Sequence, residues 1–561
     1  MANESSPLLS NKTPVYQSSD SSDDLSTLQA VISSEGTCTA QADEQLLKKR
    51  LNGASIYAVF SGIWIAVILS SLDSSIVATI YPQIGTEFKR SNEIVWIATS
   101  YMLSFTALQP LYGRISDVFG RKSAMLFASC VFFIGSLLCG MATNLWALVI
   151  ARAIAGIGGG GINCLTTVIT ADLVPLRERG KFQGYGNIAY AVGSVLGAPL
   201  GGFITDSLGW RFCFYINLPL LIVTIYVSTK LLTNYNLEEN PNVESLSQRL
   251  KKIDYAGAIT IVLSVIAFLM ATSLGGNIMP WSSTIVLTCF ASSIVLGIAF
   301  CLIEAKYAVH PLMPWEIISS RTPLACSSTN MWCLMATTSI IYITPLFYQA
   351  LLGYSPSLAG VYILPKVAFV SIGSVMSGVY MSKTGEYRKL TIVGAFMCFF
   401  SMVGYSTWTP QTIYLVQFVC LLVDGLSLGI ILTTTLIAMH SCVEPSEIAT
   451  ITSMSYLFRS IGGVVGISLT SAIFQGVVKS ILTKTITGPD AELYIEIARK
   501  SMTEVRELLP AEVLELVLDA YQIGLRYTFF ACAGIASLSV TSSFFIQSFE
   551  LSSKISANKK K

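Results

Sequence analysis

Residues 255–303 contain no Asp, Glu, Lys or Arg. A bilayer has a hydrocarbon core about 30 Å thick and a helix rises about 1.5 Å per residue, so roughly 20 apolar residues cross it. The stretch is about twice that length, and Gly275, Gly276, Asn277 and Pro280 mark a turn at its middle. Residues 123–151 and 322–365 are also free of charge. Hydrophobic residues make up 53% of the chain and charged residues 12%, about half the charge of a soluble domain. The chain therefore reads as an all-α, polytopic membrane protein, with the lipid bilayer as its main surrounding. About fourteen spans are expected, at 56–80, 94–113, 123–142, 145–164, 183–204, 212–231, 256–273, 284–303, 324–348, 358–381, 390–408, 411–436, 447–474 and 526–548.

The turns after spans 2, 4, 6, 8 and 10, with Lys230 at the end of span 6, hold fifteen Lys or Arg, against three (Lys89, Arg90 and Arg211) in the turns on the other side up to span 12. Basic residues in short loops stay in the cytoplasm, so both termini are expected there. The long loop 476–523 carries Lys479, Lys484, Arg499, Lys500 and Arg506 on the other side, but a long loop carries less weight.

Two echoes suggest an internal repeat. GRISDVFGRK (113–122) is matched by GVYMSKTGEYRK (378–389), with Gly113 and Gly120 spaced like Gly378 and Gly385 and Ser382 in the place of Asp117. Gly193 and Gly197 in span 5 are matched by Gly462 and Gly466 in span 13. Small residues four apart let helix backbones approach closely in lipid. The expected organisation is a disordered cytoplasmic tail at 1–50 and a six-helix bundle at 51–235. A loop with two linker helices at 236–322 leads to a second bundle at 323–548, and a tail at 549–561 ends the chain. Duplicated bundles rocking about a central site are a common transporter design.

Several function classes fall away. A net charge of +2 offers nucleic acid nothing to be drawn to. The 13 cysteines are scattered without a CxxC pair, and His310 and His440 are far apart, so no metal, cofactor or enzyme site is expected. No GxxxxGK[ST] loop exists to cradle ATP; the Gly180-Lys181 pair is followed by Phe182.

Ionisable groups inside spans are costly and mark candidate sites. Asp73 in span 1 and Arg152 in span 4 lie at a similar depth, about 12 Å from the luminal ends, and could pair. Asp424 in span 12 and Arg459 in span 13 are likewise expected at one depth. A carboxylate that binds a proton or a cationic substrate in turn, but never both, supplies the competition that exchange requires. The alternative is a permanent structural ion pair. Arginine does not release its proton, so Arg152 and Arg459 would tune an acid or hold an anionic group. Lys366 in span 10 either lines the same cavity or snorkels to the luminal surface.

The GRISDVFGRK segment resembles the cytoplasmic loop signature of the major facilitator superfamily. Arg152, Gly156, Gly158 and Gly160 resemble its helix-4 pattern, and Gly193, Gly197, Pro199, Gly201 and Gly202 its helix-5 antiporter signature. Ala198 stands where that signature has proline, and Pro199 follows. LDSSIVATIYP (72–82), WRFCFYINLP (210–219) and the segment from Tyr348 to Pro365 resemble the fourteen-span drug:proton antiporter branch. Within it the chain looks most like fungal vacuolar basic amino acid transporters. The resemblance implies two six-helix bundles plus two linker helices. It also implies a conformational latch at Gly113, Arg114, Asp117, Gly120 and Arg121, and proton-coupled import of lysine, arginine or histidine. A multidrug antiporter of the plasma membrane and a nutrient sensor with the transporter fold are the alternatives.

Glu4, Leu8 and Leu9 fit an acidic dileucine pattern, which resembles a signal read by sorting adaptors for vacuoles and lysosomes. Leu8→Ala with Leu9→Ala is expected to move a tagged protein off the vacuolar membrane; continued vacuolar fluorescence would refute the signal. Asn3 and Asn11 sit in NxS/T sequons but on the cytoplasmic side of the expected topology, so no glycosidase-sensitive mobility shift should depend on them.

Overall fold

The computed structural model describes residues 50, 51, 53, 55–88, 95–237, 246–275, 279–308, 311–486, 490–500, 505 and 509–551. Asn3, Glu4, Leu8, Leu9, Asn11, Lys48, Lys49, Lys89, Arg90, His310 and Lys559–Lys561 lie outside them.

In hydrocarbon every backbone N–H and C=O must find a partner within the protein, which leaves the helix as the economical way across. The described chain is built accordingly. Its long helices are α1 (Ile56–Phe88), α2 (Val95–Phe119), α3 (Arg121–Met141), α4 (Leu145–Leu173), α5 (Leu176–Leu208), α6 (Asn217–Lys230), α7 (Tyr255–Leu274), α8 (Thr284–Lys306), α9 (Arg321–Leu346), α10 (Pro356–Thr384), α11 (Arg388–Tyr405), α12 (Tyr414–Ser441), α13 (Ile448–Thr485) and α14 (Ala511–Ser543). Side chains cap several of them: Asn144 accepts from Ala147 N at 2.8 Å and Asp254 from Gly257 N at 3.0 Å.

Among the described residues eleven helices are long and apolar enough to cross a membrane, or twelve if bent α5 is one span. The expected count of fourteen is not reached, because α2 and α11 fall outside this set. Helix α2 carries Gln109, Arg114 and Asp117, and α11 has 18 residues beginning Arg388-Lys389. Helix α5 bends by 42° between Gly197 and Pro199, where proline removes a backbone donor and crowds the preceding turn. Gly201, beyond the bend, is buried and accepts from Thr205 Oγ1. The expected loop 476–523 is shorter than anticipated. Helix α13 runs to Thr485, a helix occupies Ala491–Lys500, and α14 starts at Ala511. Apolar runs mark only the part of a helix that meets lipid; its polar ends are invisible to that criterion.

Packing follows the repeat. Helix α1 packs on α5 and α9 on α13; α2 packs on α4 and α10 on α12; α3 packs on α4 and α11 on α12. Gly193 and Gly197 let α5 approach α1: a methyl on Gly193 would stand 2.3 Å from the Ile68 carbonyl oxygen. Gly462 and Gly466 do the same for α13 on α9, where the obstacles are the carbonyls of Met331 and Met335 at 2.4 and 2.1 Å. Between the linker helices, Ser264 and Ser293 exchange hydroxyl–carbonyl bonds of 2.9 and 3.0 Å. Helix α8 turns Leu287, Ile294, Val295 and Ile298 outward, as a lipid-facing surface requires.

The first half (α1–α6) and the second (α9–α14) touch through two further equivalent contacts, α5 on α10 and α13 on α2. Gly378 of α10 meets Gly180 of α5, and Gly113 of α2 meets Ala449 and Ser453 of α13. Arg177 Nε donates to the Ser382 carbonyl at 2.7 Å and Asn187 Nδ2 to Ser374 Oγ at 2.6 Å. Thr167 Oγ1 and Tyr456 Oη are 2.8 Å apart, and Ser460 Oγ lies 3.2 Å from Gln109 Oε1. These contacts lie towards the end bearing the turns at Gly120 and Gly385, called the basic end below. Both turn glycines have positive φ, 94° and 71°, a conformation that side chains disfavour.

At the opposite end Glu87 accepts a hydrogen bond from Trp210 Nε1 and pairs with Arg211 at 2.8 Å. The Trp210 bond, then that of Arg211, hold the Glu87 carboxyl below its ordinary value. A depressed acid stabilises the fold above its unfolded pKa and loses that effect only as pH falls through the folded one, so the contact tolerates mild acid.

Gly378→Val should wedge α5 from α10, since its Cβ would lie 2.4 Å from Gly180 backbone atoms. A loss of about 1–3 kcal/mol is expected as a lower thermal midpoint in detergent. Gly360→Val, on the same helix with nothing within 4 Å, should leave the midpoint unchanged.

Candidate substrate and proton site

The first half holds a sealed ion pair. Asp73 of α1 and Arg152 of α4 are each 1% exposed, with Oδ2 and Nη1 2.5 Å apart. Asn217, at the start of α6, donates from Nδ2 to Asp73 Oδ1 at 3.1 Å. The Arg152 guanidinium also lies over the Tyr101 ring, 4.2 Å from its centroid. Arg152 thus has a second partner, the negative face of an aromatic ring, if its carboxylate is taken by something else. Helix α4 reaches this depth through its glycines: Cβ atoms on Gly156 and Gly160 would collide with the carbonyls of Tyr101 and Phe105.

The second half holds another pair, and it corrects the expectation. Asp424 does not meet Arg459. It pairs with Lys366 at 2.6 Å, accepts from Tyr405 Oη at 3.1 Å, and is 0% exposed. Lys366, 1% exposed, also donates to the Thr337 carbonyl at 2.6 Å. It does not snorkel: it stands ten residues into α10 from Pro356, roughly 15 Å along the axis. Gly425 explains the pairing, since its Cβ would lie 2.4 Å from the Lys366 carbonyl oxygen. The helices cross there, and the neighbouring Asp424 falls beside Lys366. Asp424 and Arg459 also differ in depth, because α12 continues to Ser441, past its expected end.

Arg459 of α13 is buried without a carboxylate among the described residues. Its Nη2 donates to the Leu432 carbonyl at 2.7 Å, its guanidinium stands 5.3 Å from the Tyr456 ring centroid, and its Nε has no partner. Tyr456 in turn touches Thr167 of the first half, so Arg459 sits beside the seam between the halves.

At the basic end the residues expected to form a latch come together. Arg121, 3% exposed, joins Asp117 at 2.6 Å, Asp172 of α4 at 2.7 Å and Ser116 Oγ at 2.7 Å. Tyr235 Oη donates to Asp172 Oδ2 at 3.3 Å. Gly113 fits against α13 and Gly120 over Asn234. Lys122 stands apart, donating to the Thr229 carbonyl at 2.6 Å.

The partners Asn217, Tyr101, Tyr405 and Asp172 were not singled out from sequence. Asn217 had a signal, a polar residue opening an apolar run. Asp172 read as an ordinary acid near a turn, and tyrosines are too common in spans to stand out.

A model of the Major Facilitator Superfamily matches residues 63–467. The multidrug resistance protein fnx1 of Schizosaccharomyces pombe is 37% identical over 91% of this chain and 96% of its own. The vacuolar membrane amino acid uptake transporter fnx2 of the same yeast is 36% identical over 86% of this chain and 84% of its own. The crystal structure of the human organic anion transporter MFSD10 (TETRAN) is 13% identical and shares the fold. Its TM-score is 0.57, over 88% of this chain and 100% of that one.

Removing one member of a buried pair strands the other charge, at about 3–5 kcal/mol. Lys366→Met should therefore destabilise strongly, and adding Asp424→Asn should restore most of the loss. Thermal unfolding of the single and double variants checks this; equal midpoints for the two would mean the groups are not coupled.

Proposed function

The chain belongs to the major facilitator superfamily, and we propose that it exchanges protons for cationic amino acids across the vacuolar membrane. The observation that carries this reading is the Asp73 carboxylate, 1% exposed and held by Arg152 and Asn217. An ionised acid at such depth must have a cation or take up a proton. In the proposed cycle a proton or the substrate ammonium occupies Asp73 in turn, while Arg152 rests on the Tyr101 face 4.2 Å away. In the same cycle Arg459, beside the seam and without a carboxylate among the described residues, would receive the α-carboxylate that every amino acid carries. The similar yeast protein fnx2 is a vacuolar membrane amino acid uptake transporter, which supports an amino acid cargo and a vacuolar location.

The energetics suit this cargo. Moving one charge against 100 mV costs about 2.3 kcal/mol, whereas exchange of H⁺ for Lys⁺ moves no net charge. The pH difference alone then drives it, by about 1.4 kcal/mol per unit. A second reading, expulsion of cationic drugs by the same carboxylate, is favoured by the name of fnx1.

The test is uptake into vacuolar vesicles under an imposed pH gradient, with labelled amino acids and cationic drugs in parallel. Lysine, arginine or histidine should accumulate and the drugs should not; the reverse would favour the second reading. Asp73→Asn should abolish gradient-driven uptake without altering expression or sorting, and Asp73→Glu should retain part of it. Full uptake by correctly located Asp73→Asn protein would contradict the assigned role.

A further inference from the structure

Asp73 is held from two sides, and one of its partners is left incomplete. A carboxylate paired with a guanidinium only accepts hydrogen bonds, so the atom of Asn217 that faces it is the amide nitrogen. That contact fixes the whole amide. Nδ2 donates to Asp73 Oδ1 at 3.1 Å, and Asn217 Oδ1 remains a buried acceptor with no hydrogen-bond partner among the described residues. Asn217 is 0% exposed, so the oxygen has no access to bulk water.

Packing keeps it beside the carboxylate. Asn217 opens α6, directly after the short helix Phe212–Tyr215 and Ile216. Further along α6, Thr224 Oγ1 donates to the Gly62 carbonyl of α1 at 3.2 Å. A Cβ on Gly62 would stand 2.6 Å from Val227, so α6 lies close against α1 there.

A buried acceptor without a donor is costly, and a site that carries one favours a ligand that brings the donor. The same ligand must be a cation, because the acceptor adjoins Asp73. A primary ammonium meets both demands, being a compact charge with three donors and no acceptor. The site is sealed in the conformation described, and the ammonium would take the place that Arg152 leaves when it rests on the Tyr101 ring. One N–H would then reach Asp73 and another Asn217 Oδ1. A quaternary ammonium carries the same charge but no donor, and would leave the Asn217 oxygen unpaired.

We propose that Asn217 is a specificity residue: its Oδ1 and the Asp73 carboxylate form a cradle for the side-chain ammonium of the substrate, which accepts N–H-bearing cations and rejects quaternary ones. This rests on the exchange of protons for cationic amino acids at Asp73 and adds the chemical group that is recognised there.

The experiment measures displacement of labelled lysine from the purified full chain in detergent, by unlabelled lysine and by Nε-trimethyllysine. The analogue keeps the charge and the α-groups but has no N–H on its side-chain nitrogen. It should compete at least about tenfold more weakly, as an unpaired buried acceptor predicts. Asn217→Leu, of similar size but without an acceptor, should lose that preference. Asn217→Gln keeps an amide and should retain part of it, which guards against a variant that merely folds poorly. Equal competition by the two ligands on the unsubstituted protein overturns the proposal and leaves the exchange reading standing. A preference that persists undiminished in Asn217→Leu also overturns it, since size alone would then reject the analogue. Failure of the unsubstituted protein to bind lysine overturns the exchange reading and the cradle together.

Discussion

A carboxylate in hydrocarbon must have a cation beside it or give up its charge, and that requirement organises both halves of this protein. Asp73 sits against Arg152, and Asp424 against Lys366, each pair with exposures of 1% or less. Helices α4 and α12 occupy equivalent places in the two halves, yet α4 contributes the base and α12 the acid. The two pairs also differ in their cations, a planar guanidinium in one and a compact ammonium in the other.

The second constraint is closeness. Glycines set the seams at which the helices cross, within each half and between them. The four contacts at Gly113, Gly378, Gly193 and Gly462 form two equivalent sets. The contacts between halves gather towards the basic end, through Gly180, Asn187, Thr167 and Ser460. Arginine 121, with Asp117 and Asp172, ties α2, α3 and α4 together at that same end. A seam of small residues and hydroxyls can separate without leaving a large apolar surface bare, which is what rocking of two halves demands.

Much of this was legible in the sequence, for identifiable reasons. Apolar runs locate helices because the bilayer sets their length, and the glycine echoes at 113 and 378 and at 193 and 462 mark real crossings. Asp73 and Arg152 could be matched by depth, although α1 runs to Phe88 and α4 to Leu173, past their expected ends. Asp424 could not. Its partner is decided by where α10 crosses α12 at Gly425, a fact of packing that no spacing along one helix records. The polar ends of α13 and α14 escaped for a related reason: hydropathy reports contact with lipid, not helicity.

The central claim is that a cationic substrate and a proton compete for one buried carboxylate. It is tested most directly by adding lysine to the purified protein in weakly buffered detergent and recording the pH with an indicator dye. The account predicts proton release that saturates with lysine, is reproduced by arginine, and disappears in Asp73→Asn. Lysine binding that releases no proton, or release that persists undiminished in Asp73→Asn, would contradict it.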